Sequence, residues 1–210
     1  MASWLAQYMQ EPIERDGAVF SPSDLRYFNG VLPDGEPDRI FMAVDPAWGG
    51  GDYVAGPVCY KYGHDIYVAD VVYSNADKSI TQPLIANAVK QHNVAALQIE
   101  ADKSRMSYAE GVEACLKNLG LRINITTKTA PHTGNGKQQR IFDKAPDIRE
   151  RMIFIADGCR SKDYQLFMQN VLSFKVVGKN KNDDAPDSLC MAVTMDSFVT
   201  NRTKVVAPRW

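Results

Sequence analysis

Cysteine and histidine are scarce, at four and three of 210 residues. Cys59, Cys115, Cys159 and Cys190 lie far apart and form no CxxC or Cys/His spacing. That argues against a structural zinc site and a disulfide framework. Each sits among apolar or small residues, which predicts buried, unreactive thiols. No apolar run approaches the roughly 18 residues of a membrane span, and no basic-then-apolar leader opens the chain. An intracellular protein is the expectation. Neither charge dominates, because 24 Lys and Arg face 25 Asp and Glu for a net charge of −1. No Gly-Lys-Ser/Thr follows the glycine run at 49–51, so a Walker A loop is absent.

What is present is ordinary in bulk but uneven along the chain. An apolar content of 45% and a charged content of 23% fit a globular protein whose length buries a sizeable core. Residues 122–181 carry 12 of the 24 basic residues but only five acids, a local balance of +7. The remainder therefore carries −8. A basic stretch opposed to acidic clusters suits a polyanionic substrate held beside a metal site, although a solvated surface produces the same count.

Residues 1–38 read as an arm. Trp4, Leu5, Tyr8 and Met9 have helical spacing, after which repeated Pro and Gly interrupt any regular pattern. Ser21–Phe28 predicts one short capped helix. From Arg39 onward, buried or alternating runs predict strands over 40–45, 52–62, 65–74, 95–100 and 121–126, and 152–156 is a brief apolar run. Helices are expected over 78–92, 104–118, 138–151, 164–174 and 187–200, with Pro146 starting or kinking the third of these. A mixed sheet flanked by helices follows, an α/β fold with one domain over 39–210.

The chemistry lies in the carboxylates. Asp45 ends one strand and precedes Pro46-Ala47-Trp48-Gly49-Gly50-Gly51-Asp52, while Glu100 ends another. Asp183-Asp184-Ala185-Pro186-Asp187 opens the last helix, where Asp184 and Asp187, three apart, share a face. Capping needs only one acid; three repel one another unless a cation offsets them. An oxygen-only donor set favours Mg²⁺ or Mn²⁺ over zinc, and paired ions can drive phosphodiester cleavage. A nuclease is the reading. Lys137 and Arg140, after the polar loop 127–136, are candidates for DNA phosphate contact, as are Lys179 and Lys181 in the basic loop 176–182. His132 stands alone in its loop and is not counted in the site.

Taken in order, Asp45-Pro46-Ala47 with Gly49-Gly50-Gly51-Asp52, the strand ending in Glu100, and Asp183-Asp184-Ala185-Pro186-Asp187-Ser188-Leu189 resemble the C-terminal nuclease domain of tailed-bacteriophage large terminase subunits. Lys137-Gln138-Gln139-Arg140-Ile141 also follows that pattern, and Gln7–Phe20 resembles the connector before it. The resemblance implies an RNase H/RuvC-like fold and a metal-dependent endonuclease that cuts concatemeric double-stranded phage DNA during packaging in the host cytoplasm. It implies the portal and the small terminase subunit as partners of the full-length protein. Asp45, Glu100 and Asp184 match the family's metal-binding acids and Asp187 the fourth acid. Asn182 stands where many relatives have His, which leaves Asp183 and Asp184 both open as principal ligand. The packaging ATPase motifs are absent. A RuvC-like junction resolvase and a catalytically silent DNA-docking module are the competing readings.

Overall fold

In the computed structural model, residues 17–47, 51–100, 106–128, 136–175, 180 and 182–200 are described. Seven strands form one sheet: β1 (Arg26–Phe28), β2 (Arg39–Val44), β3 (Val54–Tyr62), β4 (Asp65–Ser74), β5 (Ala96–Glu100), β6 (Asn124–Lys128) and β7 (Met152–Ile155). Their order across the sheet is β1-β7-β4-β3-β2-β5-β6. The β2, β3 and β4 strands run antiparallel to their neighbours within that trio, and every other pairing is parallel. Five α-helices among the described residues accompany them: α1 (Lys78–Gln91), α2 (Met106–Asn118), α3 (Gly136–Arg151), α4 (Lys162–Ser173) and α5 (Asp184–Thr200). No helix among the described residues is long and apolar enough to cross a membrane.

The alternation of side chains along a strand sets the layers. On β2, Phe41 and Ala43 join one apolar cluster with residues of α3, α4 and α5. Met42 and Val44 join a second cluster with α1 and α2. The sheet is therefore covered on both faces, which explains why β2 and β7 read as continuous apolar runs. Tyr164 locks α4 down: its hydroxyl donates to the Val68 carbonyl at 2.7 Å and accepts from the Ile155 N–H at 3.0 Å. The β3–β4 turn places Gly63 at φ +61, and Gly120 closes the turn after α2 at φ +75, conformations that side-chain-bearing residues adopt at a cost.

Several expectations are corrected. Ser21–Phe28 is not a helix: residues 22–24 turn and 26–28 form β1, because this segment finds a parallel partner in β7. The described part of the arm packs on its own domain, with Val19, Phe20 and Leu25 inside the core and the Val19 N–H bonded to the Phe174 carbonyl. Pro146 lies inside α3, which continues past it. The strand expected over 121–126 lies at Asn124–Lys128, and the last helix begins at Asp184 rather than 187. Cys59 and Cys190 are buried as expected, but Cys115 is only half-buried and Cys159 is exposed. Trp4, Leu5, Tyr8 and Met9, the glycine pair Gly49-Gly50, His132, Lys179 and Lys181 lie outside the described residues.

Candidate metal centre

Strand geometry brings two of the acids together. Asp45 continues β2 on the side of Phe41 and Ala43, and its backbone is fixed by reciprocal bonds to Ala55 at 2.9 and 3.0 Å. The parallel register sets Val44 beside Ile99, so Asp45 and Glu100 end neighbouring strands side by side. Leu97 and Ile99 belong to the opposite cluster, so alternation turns Glu100 toward the face that holds Asp45. The α5 helix lies over that face and delivers Asp187. Ligand oxygens of Asp45, Glu100 and Asp187 all lie within 4.8 Å of one another, and the three residues are 2%, 4% and 0% exposed.

Asp184 sits on the same helix face but is engaged elsewhere: its Oδ2 accepts the Tyr53 N–H at 3.0 Å. It is buried, yet outside the three-acid cluster. Asp183 occupies the cap position by backbone, since its carbonyl accepts the Asp187 N–H at 3.0 Å. Its side chain does not cap the helix but meets Lys137 Nζ at 2.9 Å. Of the four acids named from sequence, the fold thus gathers Asp45, Glu100 and Asp187 and leaves Asp184 one step aside.

Two cations from α3 complete the cluster, and their part was not legible in the sequence. Lys137 Nζ lies 3.0 Å from Asp45, 2.9 Å from Asp183 and 3.3 Å from Asp187. Arg140 grips Asp187 through Nη2, at 2.6 Å to both oxygens, and through Nε at 3.0 Å; Nη2 also lies 3.5 Å from Glu100. The available signal was their i, i+3 spacing at a helix start, which puts both on one face; which groups they meet depends on tertiary packing.

The balance of charge remains negative. Burial, together with Asp187 and Glu100 nearby, pushes the Asp45 carboxyl well above its usual range despite Lys137. Burial likewise raises Asp187 against the pull of Lys137 and Arg140, and raises Asp184 against its bond from Tyr53. Burial alone would lower Lys137, but Asp45, Asp187 and Asp183 outweigh it and hold the ammonium above its ordinary value. Carboxylates that are buried, convergent and under-neutralised are a suitable site for a hard divalent ion, and the all-oxygen donor set fits Mg²⁺ or Mn²⁺.

The mixed sheet with strand-end acids covered by helices is that of an RNase H-like nuclease domain. A sequence model of the family described as "Terminase Bacteriophage T7, Ribonuclease H-like domain" matches residues 44–152, just over half of the chain. The chain belongs to that family. Among curated proteins none matches the sequence significantly. Among solved structures, the human cytomegalovirus terminase nuclease domain, Mn soaked and inhibitor bound, superposes with a TM-score of 0.57 at 11% identity, covering 84% of this chain and 94% of that one. The nuclease domain of the large terminase subunit gp2 of bacterial virus Sf6 gives 0.52 at 11% identity, covering 76% and 89%. The large terminase from a thermophilic bacteriophage gives 0.56 at 12% identity over 84% of this chain. The match spans 44% of that phage protein's length. At these identities the likeness is one of fold.

Proposed function

We propose that this chain is a divalent-metal-dependent endodeoxyribonuclease that cuts concatemeric double-stranded phage DNA during genome packaging. The observation that carries the reading is the convergence of the Asp45, Glu100 and Asp187 oxygens within 4.8 Å in a buried, under-neutralised cluster. Asp45, Glu100 and Asp187 would hold the ions, with Asp184, three residues before Asp187, as a further candidate ligand. When bound, a pair of Mg²⁺ or Mn²⁺ ions activates a water and stabilises the leaving oxygen of a phosphodiester. The protein's share is positioning: two rigid strand ends and one helix turn hold the donors before substrate arrives. Lys137 and Arg140, which offset part of the acids' charge, would also contact the DNA phosphates, with Lys179 and Lys181 as further DNA contacts.

Family membership supports, as part of this proposal, a packaging context with the portal and small terminase subunit as partners in the host cytoplasm. Residues 1–38 are proposed as the connector and 39–210 as the nuclease domain proper, with the described part of the connector, β1 included, packed into that domain. The test is plasmid nicking and linearisation in Mn²⁺ and Mg²⁺. The wild-type chain is expected to cleave and chelator to stop it, whereas Asp45→Ala loses cleavage while keeping its circular dichroism spectrum. Retained cleavage by the folded variant overturns the assignment.

A further inference from the structure

Beside the acid cluster runs an open groove of about 540 Å³ whose lining includes Tyr53, Asn75, Asn170, Lys175, Asn180 and Asn182. Among the described residues four asparagines and one lysine line it, and no carboxylate does. Two of the asparagines build its wall. Asn170 Nδ2 donates to the Asn182 carbonyl, and its Oδ1 accepts the Ala185 N–H, both at 3.0 Å. Asn180 brackets the Lys175 backbone, accepting its N–H and donating to its carbonyl, both at 2.8 Å. The other two, Asn75 and Asn182, have no side-chain hydrogen-bond partner among the described residues. Both line the groove with their amides uncommitted among the described residues.

The groove and the acids share walls. Tyr53 lines the groove while its backbone N–H holds Asp184. Asn182 immediately precedes Asp183, whose carboxylate meets Lys137. A DNA strand whose scissile phosphate reaches the acids must lay its neighbouring phosphates on ground that does not repel them. Among the described residues the groove offers such ground: amide N–H groups, one ammonium and no negative charge. Amide contacts fix the register of a backbone while adding little salt dependence, and each lysine contact adds one released counterion.

We propose that this groove is the subsite for the DNA strand flanking the scissile phosphate. Asn75 and Asn182 donate to phosphate oxygens there, and Lys175 neutralises one phosphate. The assignment rests on the nuclease reading of the acid cluster.

The experiment is fluorescence-anisotropy titration of a labelled duplex with the full chain in chelator, over a range of salt, beside Mn²⁺-dependent cleavage. Asn75 and Lys175 are exposed, so their variants are expected to melt as the wild type does. Asn75→Asp, which sets a like charge against phosphate, should weaken binding about 10-fold, some 1.4 kcal/mol. Asn75→Ala should weaken it less, and Asn118→Asp, the same change outside the groove, should leave it within two-fold. Lys175→Ala should flatten the slope of log K against log salt by about 0.9. Equal affinity for wild type and Asn75→Asp with an unchanged slope for Lys175→Ala overturns the groove alone. Wild-type binding without cleavage at any Mn²⁺ concentration overturns the nuclease reading and leaves the groove judged by the affinities. No binding by the wild type overturns both.

Discussion

The α5 helix carries a buried acid near each end, and the two have opposite fates. Asp187 meets Lys137 and Arg140 but shares them with Asp45, Asp183 and Glu100. Asp196, nine residues on and 1% exposed, has Lys61 at 2.7 and 2.9 Å and Arg151 also bonded to it. Burial alone would raise Asp196, but the hydrogen bonds from Lys61 and Arg151 outweigh it and hold the carboxyl below its usual range. Burial raises Asp187, and its two shared cations do not reverse that. The same residue types thus form a saturated cluster at one end and an under-neutralised one at the other. Saturation suits a structural tie, and a deficit of positive charge is what a further cation would offset.

Four measurements break or sharpen that contrast. Asp45→Asn should cut Mn²⁺-dependent cleavage about 100-fold or more. In chelator its melting temperature should be unchanged or higher, because a repulsive buried charge has gone. A variant that cleaves normally, or that melts well below the wild type, would make the acid cluster structural. Asp196→Asn should do the reverse. It strands two nearly buried cations and costs about 3 kcal/mol in urea denaturation, while cleavage per folded molecule stays within two-fold.

Ion binding comes next in size. At a Mn²⁺ concentration 100 times the dissociation constant, wild-type stability should rise by about 2.7 kcal/mol. Asp196→Asn should keep that gain and Asp45→Asn should lose most of it. A gain that survives in Asp45→Asn places the ion elsewhere.

The smallest effect is on acid stability in chelator. Asp196, with its depressed folded value, contributes in full above the unfolded value of about 3.9 and loses that contribution as pH falls through the folded value. The deficit of Asp196→Asn relative to the wild type should therefore shrink below about pH 4. Asp45 titrates above its unfolded value when folded, so its contribution worsens as pH rises from about 3.9 through the raised value. Any advantage of Asp45→Asn should therefore grow toward neutral pH. Parallel rather than opposed trends would remove the electrostatic distinction between the two ends of α5.

Much of the architecture was legible because local pattern and tertiary need agree. The strand expected over 65–74 is β4 in full, and that over 95–100 differs from β5 by one residue. Legibility failed where a distant partner decided the outcome. Ser21–Phe28 carries helix-start residues, yet an open edge of β7 recruits it as a strand. Asp183–Asp187, by contrast, was readable as a helix start, and Pro186 indeed falls in the first turn, where its missing N–H costs nothing. In the site, Asp45 and Glu100 were readable because strand ends project side chains from fixed positions. The cations were not, because only the packing of α3 on α5 aims Lys137 and Arg140 at those acids. Nor did local pattern reveal that Asp187, rather than Asp184, completes the cluster; that depends on the Tyr53 N–H, 131 residues away, claiming Asp184.

The parallel pairing of β1 with β7 sets Arg26 against Ile153 and joins segments more than 100 residues apart. Asp45 and Asp187 are separated by a comparable stretch. Contacts of such long range form late, because the entropy of closing so large a loop must be met before they contribute. The proposed acid site is therefore expected to be completed at the final stage of folding. A chain still emerging from the ribosome carries Asp45 and Glu100 but lacks α5, and so has no complete ion site. Recovery of cleavage during refolding should lag behind the recovery of secondary structure, which makes activity a clock for the closing step.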